Sequence, residues 1–205
     1  MNSTIISKSK SFLLVILLFS VAFSCKKEAK KTEMNTAETV KESDSLKETA
    51  PFFKLSLAQW SINKYVRVEK KSPFHFASQA KELGFEGIEY VSQLYTKEIE
   101  KLGFDTVIDS LKALSEKEAI QNVLIMIDGE GDLADPSEEV RNKAVENHKK
   151  WIDAAAKLGC HSIRVNTFGT NDPKIWKASV VDGLKKLSTY AATKNINVLC
   201  ENHGW

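Results

Sequence analysis

Cysteine, proline and glycine are all scarce, at three, four and nine in 205 residues. Their scarcity excludes a collagen-like repeat, and with 42% hydrophobic and 27% charged residues the chain is neither a polytopic membrane protein nor wholly disordered. Charge of one sign is lacking too, since 29 basic residues stand against 27 acidic ones. The length suits one domain and is short for two.

No apolar run reaches the roughly 20 residues that a membrane-spanning helix needs. The longest, residues 12–19, follows Lys8 and Lys10 and leads into Ser20, Val21, Ala22, Phe23, Ser24 and Cys25. A basic start, a short apolar core and small residues after it make an export signal over residues 1–24. Ala22 and Ser24 directly before Cys25 resemble the lipobox of bacterial lipoproteins, in which the cysteine is acylated and becomes the mature N-terminus. That resemblance implies lipidation of Cys25 and an exported protein anchored to a membrane, on its periplasmic or cell-surface side. The other reading is a plain secretory signal cleaved nearby.

Residues 26–50 carry six lysines, six acids and no aromatic residue. Such a segment buries too little apolar surface to offset its ordering entropy, so residues 25–50 read as a flexible tether. What remains, residues 51–205, holds 21 basic and 21 acidic residues. A domain that grips a phosphate backbone usually has a basic excess, so nucleic acid is not an expected partner.

From residue 53 onward short apolar runs alternate with amphipathic stretches. Strands are expected over 55–60, 85–90, 122–127, 162–167 and 196–200. Between them come four helices. Ser72-Pro73 offers a cap and first-turn proline for a helix to Leu83, stopped by Gly84; Val107, Ile108, Leu111 and Leu114 share a face of the second. Asp135-Pro136-Ser137-Glu138 reads as an N-cap acid, a first-position proline and a capping-box glutamate for the third, which Gly159 closes. Asn171-Asp172-Pro173 opens the fourth.

Alternating strands and helices of this kind mean α/β architecture with a parallel sheet covered on both faces. An open doubly wound sheet and a (β/α)₈ barrel both fit five strands. Gln59-Trp60-Ser61-Ile62-Asn63 stands where a nucleotide-binding open sheet would carry its glycine-rich phosphate loop, which favours the barrel, with only its first five strands and four helices present. Cys160 would begin one strand and Cys200 end the next, roughly 13 Å apart along the strands. A disulfide tolerates about 7 Å between Cα atoms, so both cysteines are expected as small buried hydrophobes.

Chemistry in parallel α/β folds collects at the carboxyl ends of strands. Those ends read Gln59-Trp60-Ser61, Glu89-Tyr90, Asp128-Gly129-Glu130, Asn166-Thr167-Phe168 and Glu201-Asn202-His203-Gly204. A carboxylate there can take a proton, hold a sugar hydroxyl or bind a divalent cation. Trp60 and Tyr90 offer faces on which a sugar ring could stack, or simple packing. Asp128 and Glu130 read as acids solvating a loop and Asn166 as a turn cap; His75, His148 and His161 fall on helix or strand-start positions and receive no role.

Val198-Leu199-Cys200-Glu201-Asn202-His203-Gly204, together with the segments Ala80-Lys81-Glu82-Leu83-Gly84-Phe85-Glu86-Gly87-Ile88-Glu89-Tyr90 and Ala155-Ala156-Lys157-Leu158-Gly159-Cys160, resembles the xylose isomerase-like TIM-barrel superfamily, which holds sugar phosphate isomerases and epimerases and is also called AP endonuclease family 2. The resemblance implies that Glu201 is a ligand to a divalent metal (Mn, Mg, Co or Zn) and a carboxylate that moves a proton beside a carbonyl. It implies roles at the mouth for His203 and Glu89, with the remaining ligands on later strands beyond residue 205; Trp60 and Asn166, at their own strand ends, complete the candidate substrate-binding set. The expected activity is an exported sugar isomerase or epimerase, this chain being its N-terminal part. A sugar-binding lipoprotein without chemistry is the alternative. A metal-dependent nuclease of the same superfamily fits less well, because it needs histidines where Glu89-Tyr90 and Ile127-Asp128 stand.

Overall fold

The computed structural model describes residues 52–203. The expected export signal, Cys25, the tether and Gly204 lie outside the described residues. Among those described, no helix is long and apolar enough to cross a membrane.

Five strands form one parallel sheet: β1 (Ser56–Ala58), β2 (Gly87–Val91), β3 (Gln121–Ile127), β4 (Ser162–Asn166) and β5 (Asn197–Glu201). Their spatial order is their sequence order, β1-β2-β3-β4-β5, and every neighbouring pair is parallel. A doubly wound sheet reverses direction at a switch point and this one does not; successive crossovers advance one strand at a time, as in a barrel wall.

Six α-helices accompany the strands: α1 (Asn63–Arg67), α2 (Phe76–Glu82), α3 (Thr96–Leu102), α4 (Phe104–Lys117), α5 (Glu138–Leu158) and α6 (Pro173–Thr193). The four crossover helices α2, α4, α5 and α6 are the expected ones. Short α1 and α3 come in addition, because each occupies about two turns, too few for an apolar period to stand out. β1 is also shorter than 55–60, since the chain turns into a 3₁₀ helix at Gln59–Ile62.

Helix starts follow local chemistry, with one correction. For α6, Asp172 is the N-cap, its Oδ1 accepting from the amides of Lys174 (2.9 Å) and Ile175 (3.1 Å). For α5 the cap is Ser137 and not Asp135: Ser137 Oγ faces the Val140 amide at 3.5 Å, while Asp135 Oδ1 accepts from Ser137 N at 2.7 Å and shapes the approach. Gly159 ends α5 in the left-handed region at φ 78°, as its position suggests.

Strand register assigns the two faces of the sheet. Tyr90, Ile125, Ile163 and Val198 align in one row, and Ile127, Val165 and Cys200 in another. These rows pack under the helices, where Ile88, Ile163 and Val165 are wholly buried with Ile152 of α5 and Leu187 of α6. Each such side chain contributes about 1.5–3 kcal/mol by leaving water. Residues between them face the other way, toward what would be the barrel interior: Val91, Met126, Arg164 and Leu199 in one row, with Asn166 and Glu201 paired in the next. Cys160 is buried and Cys200 exposed, both as free thiols. Only Cys160 is therefore the small buried hydrophobe expected of both, because β5 has a neighbour on one side only among the described residues.

The segment from Asp128 to Asp135 joins β3 to α5 and is pressed against its surroundings. Ala134 N donates to Phe168 O at 2.9 Å. Gly169 and Gly183 let it come that close: a Cβ on Gly169 would stand 2.0 Å from Ala134 O, and one on Gly183 would stand 2.1 Å from Leu133 O.

Candidate active site

At the carboxyl ends of β2 to β5 the inner face opens into a cleft of about 640 Å³. Its base is the row Val91, Met126 and Arg164, and its rim carries Asp128, Asn166 and Glu201. Glu130, Asp132, His148, Phe168, His203 and Trp60 complete the wall.

A chain of polar contacts runs across the rim. Asn166 Nδ2 donates to Asp128 Oδ1 at 2.7 Å, and Gln93 Nε2 to Asp128 Oδ2 at 3.1 Å. Ser92 Oγ fixes the Asp128 backbone from both sides, accepting from its amide at 2.9 Å and donating to its carbonyl at 3.1 Å. Glu130 accepts from Trp151 Nε1 at 2.6 Å and pairs with Lys150 at 2.8 Å.

Glu201 faces Arg164, with Nη1 to Oε2 at 2.9 Å. The contact is close in charge but poorly aimed, for Glu201 Oε2 makes no hydrogen bond. Arg164 Nε and Asn166 Oδ1 are likewise buried without a hydrogen-bond partner. Buried polar groups are ordinarily satisfied, so one donor and two acceptors without hydrogen bonds on adjacent strands, one of the acceptors held only by an ion pair, are an unusual concentration. They match the edges of a polyol or hydroxy-carbonyl compound, which donates to the oxygens and accepts from the guanidinium.

The expected site residues divide. Glu201, His203, Asn166 and Trp60 all line this cleft. His203 sits with its ring 5.4 Å from that of Phe168, and Trp60 lies under the Arg67 guanidinium at 5.3 Å. Glu89 does not line it; it sits deeper on the sheet, accepting from Ser56 Oγ at 2.5 Å. Tyr90 is buried on the helix side, where its hydroxyl donates to Asn122 Oδ1 at 2.8 Å, so it is no stacking platform. Burial raises its pKa further.

Three cleft residues gained no role from sequence. Asp128 is held in the cleft rim by Asn166 and Gln93 rather than being a solvated loop acid. Arg164 was hidden inside an apolar strand, although its spacing of two from Asn166 puts both on one face. His148, expected away from the strand ends, reaches the cleft from the middle of α5. Its Nδ1 lies 2.7 Å from the Ala144 carbonyl, which can only accept, so that nitrogen carries the proton. Burial lowers its pKa, so the ring is neutral at pH 7. The other histidines stay remote: His75 contacts Tyr65 and His161 contacts Ser162.

Residues 77–205 match the family described as xylose isomerase-like TIM barrel. The chain belongs to that family. No curated protein sequence matches it. Among solved structures, a sugar phosphate isomerase/epimerase from Parabacteroides distasonis is similar at 15% identity and TM-score 0.58, over 78% of this chain and 55% of that one. D-psicose 3-epimerase of Clostridium cellulolyticum, solved with D-tagatose, has 17% identity and TM-score 0.56 over 71% and 51%. The IOLI protein, solved with a zinc atom, has 18% identity and TM-score 0.56 over 72% and 51%. This chain thus spans about half the length of the xylose isomerase-like structures it matches.

The metal expected at Glu201 was tested against the donors present. Among the described residues no three His, Cys, Asp or Glu side chains converge as a cation would require. Glu201, the one carboxylate at the end of β5, already faces a guanidinium. The described residues of this xylose isomerase-like chain do not by themselves fit a divalent metal.

Proposed function

We propose that the cleft binds an uncharged sugar or keto-sugar and that Glu201 moves a proton at the carbon beside its carbonyl, the chemistry of a sugar isomerase or epimerase. The observation that carries this reading is Glu201 itself: a carboxylate on the inner face of a barrel strand, at the cleft, with one oxygen buried and without a hydrogen bond. That oxygen is held only by its ion pair with Arg164 at 2.9 Å, and a substrate in the cleft would give it a hydrogen-bond donor.

Charge supports an uncharged ligand over a sugar phosphate. Among the described residues Asp128, Glu130, Asp132 and Glu201 line the cleft with a single arginine, Arg164, and no lysine, although Glu130 is paired with Lys150 behind it. A phosphate would enter against that field. The names of two structural neighbours, D-psicose 3-epimerase and sugar phosphate isomerase/epimerase, support the reaction class. Metal assistance belongs to the same reading only through donors outside those described, and no step here depends on it. Export and anchoring through Cys25 are supported by residues 1–25 alone; metabolic labelling with palmitate, lost in Cys25→Ser, is the expected result.

The test is exchange of the carbon-bound hydrogen beside the carbonyl of D-tagatose in D₂O, followed by NMR. Glu201→Gln is expected to slow exchange by about 100-fold or more. Binding without exchange in the unaltered chain would leave a sugar-binding lipoprotein in its place.

A further inference from the structure

Removing a proton beside a carbonyl sends negative charge onto the carbonyl oxygen, and a base alone does nothing for that charge. The reacting carbon and the oxygen are two bonds apart. Whatever receives the oxyanion must therefore stand next to the base. In this cleft Arg164 does: Nη1 is 2.9 Å from Glu201 Oε2, and the two residues occupy neighbouring strands with inward-facing positions one row apart.

We infer that Arg164 is a catalytic residue of the proposed reaction, the guanidinium that receives the substrate oxyanion while Glu201 holds the proton. The inference rests on the proposed proton transfer at Glu201. Three observations support it. Arg164 lines the cleft together with its ion-pair partner Glu201. Its Nε is buried without an acceptor, a desolvated donor that an oxyanion would satisfy once the substrate draws the side chain over. Its contact with Glu201 is an ion pair at 2.9 Å in which Oε2 makes no hydrogen bond, so a substrate oxyanion can take the guanidinium over by parting the two.

The step balances without a further reactant. Glu201 takes the proton; the C–H pair becomes the C=C bond of an enediolate; the C=O π pair moves to oxygen, where the guanidinium N–H groups hold it. Return of the proton to the same carbon regenerates the carbonyl; delivery to the former carbonyl carbon does so once the hydroxyl proton of the enediolate passes from one of its oxygens to the other. Acid and base stay charge-balanced throughout, because the positive charge that faces Glu201 at rest faces the enediolate once Glu201 is protonated.

Two measurements on the full chain separate this inference from the reading beneath it. The first is D-tagatose exchange in D₂O. Arg164→Met is expected to lose about 100-fold or more, and Arg164→Lys, which keeps the charge without the fork, to fall between. The second is calorimetric binding of glycolohydroxamate, an enediolate mimic, which needs no turnover. Arg164→Met is expected to bind it at least 30-fold more weakly, by about the strength of a charge-assisted contact, with Glu201→Gln affected far less. Circular dichroism of Arg164→Lys, which leaves Glu201 a cation, guards against misfolding. If the unaltered chain exchanges no hydrogen yet binds the hydroxamate through Arg164, the proposed function falls and the oxyanion site stands. If Arg164→Met matches the unaltered chain in both measurements, or the unaltered chain does not bind the hydroxamate, the inference is overturned.

Discussion

Two polar clusters lie on opposite faces of the same sheet, and they are finished to different degrees. Under the helices, Asn122 accepts from Tyr90 Oη at 2.8 Å and donates to Ser115 Oγ and Leu158 O, both at 2.9 Å. Close by, Gln59 accepts from Val91 N at 3.1 Å and donates to Tyr95 Oη at 2.9 Å, and Tyr95 donates to Pro73 O at 3.3 Å. Every one of these side chains has its partner inside the protein. On the inner face Arg164 pairs with Glu201 and Asn166 donates to Asp128, yet each of the three keeps one buried atom without a hydrogen bond. Cost explains the difference: an unpaired buried polar group loses about 1–3 kcal/mol, which folding alone gives no reason to accept. The closed cluster holds the fold, and the open one is shaped for something that arrives later.

The largest test of that contrast is a pair of truncations. Asn122→Ala is expected to destabilise by about 3 kcal/mol, since it strands the Leu158 carbonyl and the Tyr90 hydroxyl together. Asn166→Ala is expected to change stability by less than about 1 kcal/mol, because the lost bond to Asp128 is offset by removal of an unsatisfied oxygen. Urea unfolding measures both. Equal losses would erase the distinction.

Next is Gly183→Ala, where the new Cβ meets the Leu133 carbonyl, a backbone atom that cannot swing aside. About 2 kcal/mol is expected in thermal unfolding. NMR shifts should concentrate at Asp128, Asn166 and the rim, and leave Tyr90 and Asn122 in place.

His148→Gln is the smallest. Burial places the folded His148 pKa below its ordinary 6.5, so the unfolded chain binds the proton more readily. The stability its neutral form contributes is complete above pH 6.5 and declines as pH falls from there through the folded value. The slope is at most about 1.4 kcal/mol per pH unit. Glutamine should flatten unfolding free energy across that window and change little above it.

Much of this was visible in the residues. Apolar runs marked all five strands to within a few positions, because strands buried under helices repeat Ile, Val and Leu almost without interruption. Glycine and Asx-Pro signals marked the ends of the crossover helices for a local reason, backbone groups needing a cap. Short α1 and α3 escaped, as did the exchange of capping duty between Asp135 and Ser137, where two cap-forming residues compete within three positions. In the cleft, Glu201, His203, Asn166 and Trp60 lay at strand ends and were legible by rule. Glu89 obeyed the same rule and sits deeper, since the second strand runs on to Val91. His148 had no local signal at all: a helix residue reaches a strand-end cleft only through the path of the loop between them.

That loop, from Asp128 to Asp135, has a kinetic consequence. It brings Asp128, Glu130 and Asp132 to the cleft while Leu133 and Ala134 are wholly buried and lie hard against Gly183 and Gly169. The freedom of these residues is surrendered during folding, before any ligand is present. The proposed sugar would meet a wall already in place on this side of the cleft, so its capture is expected as a single bimolecular phase, linear in sugar concentration, with no slow closing step from this loop to follow.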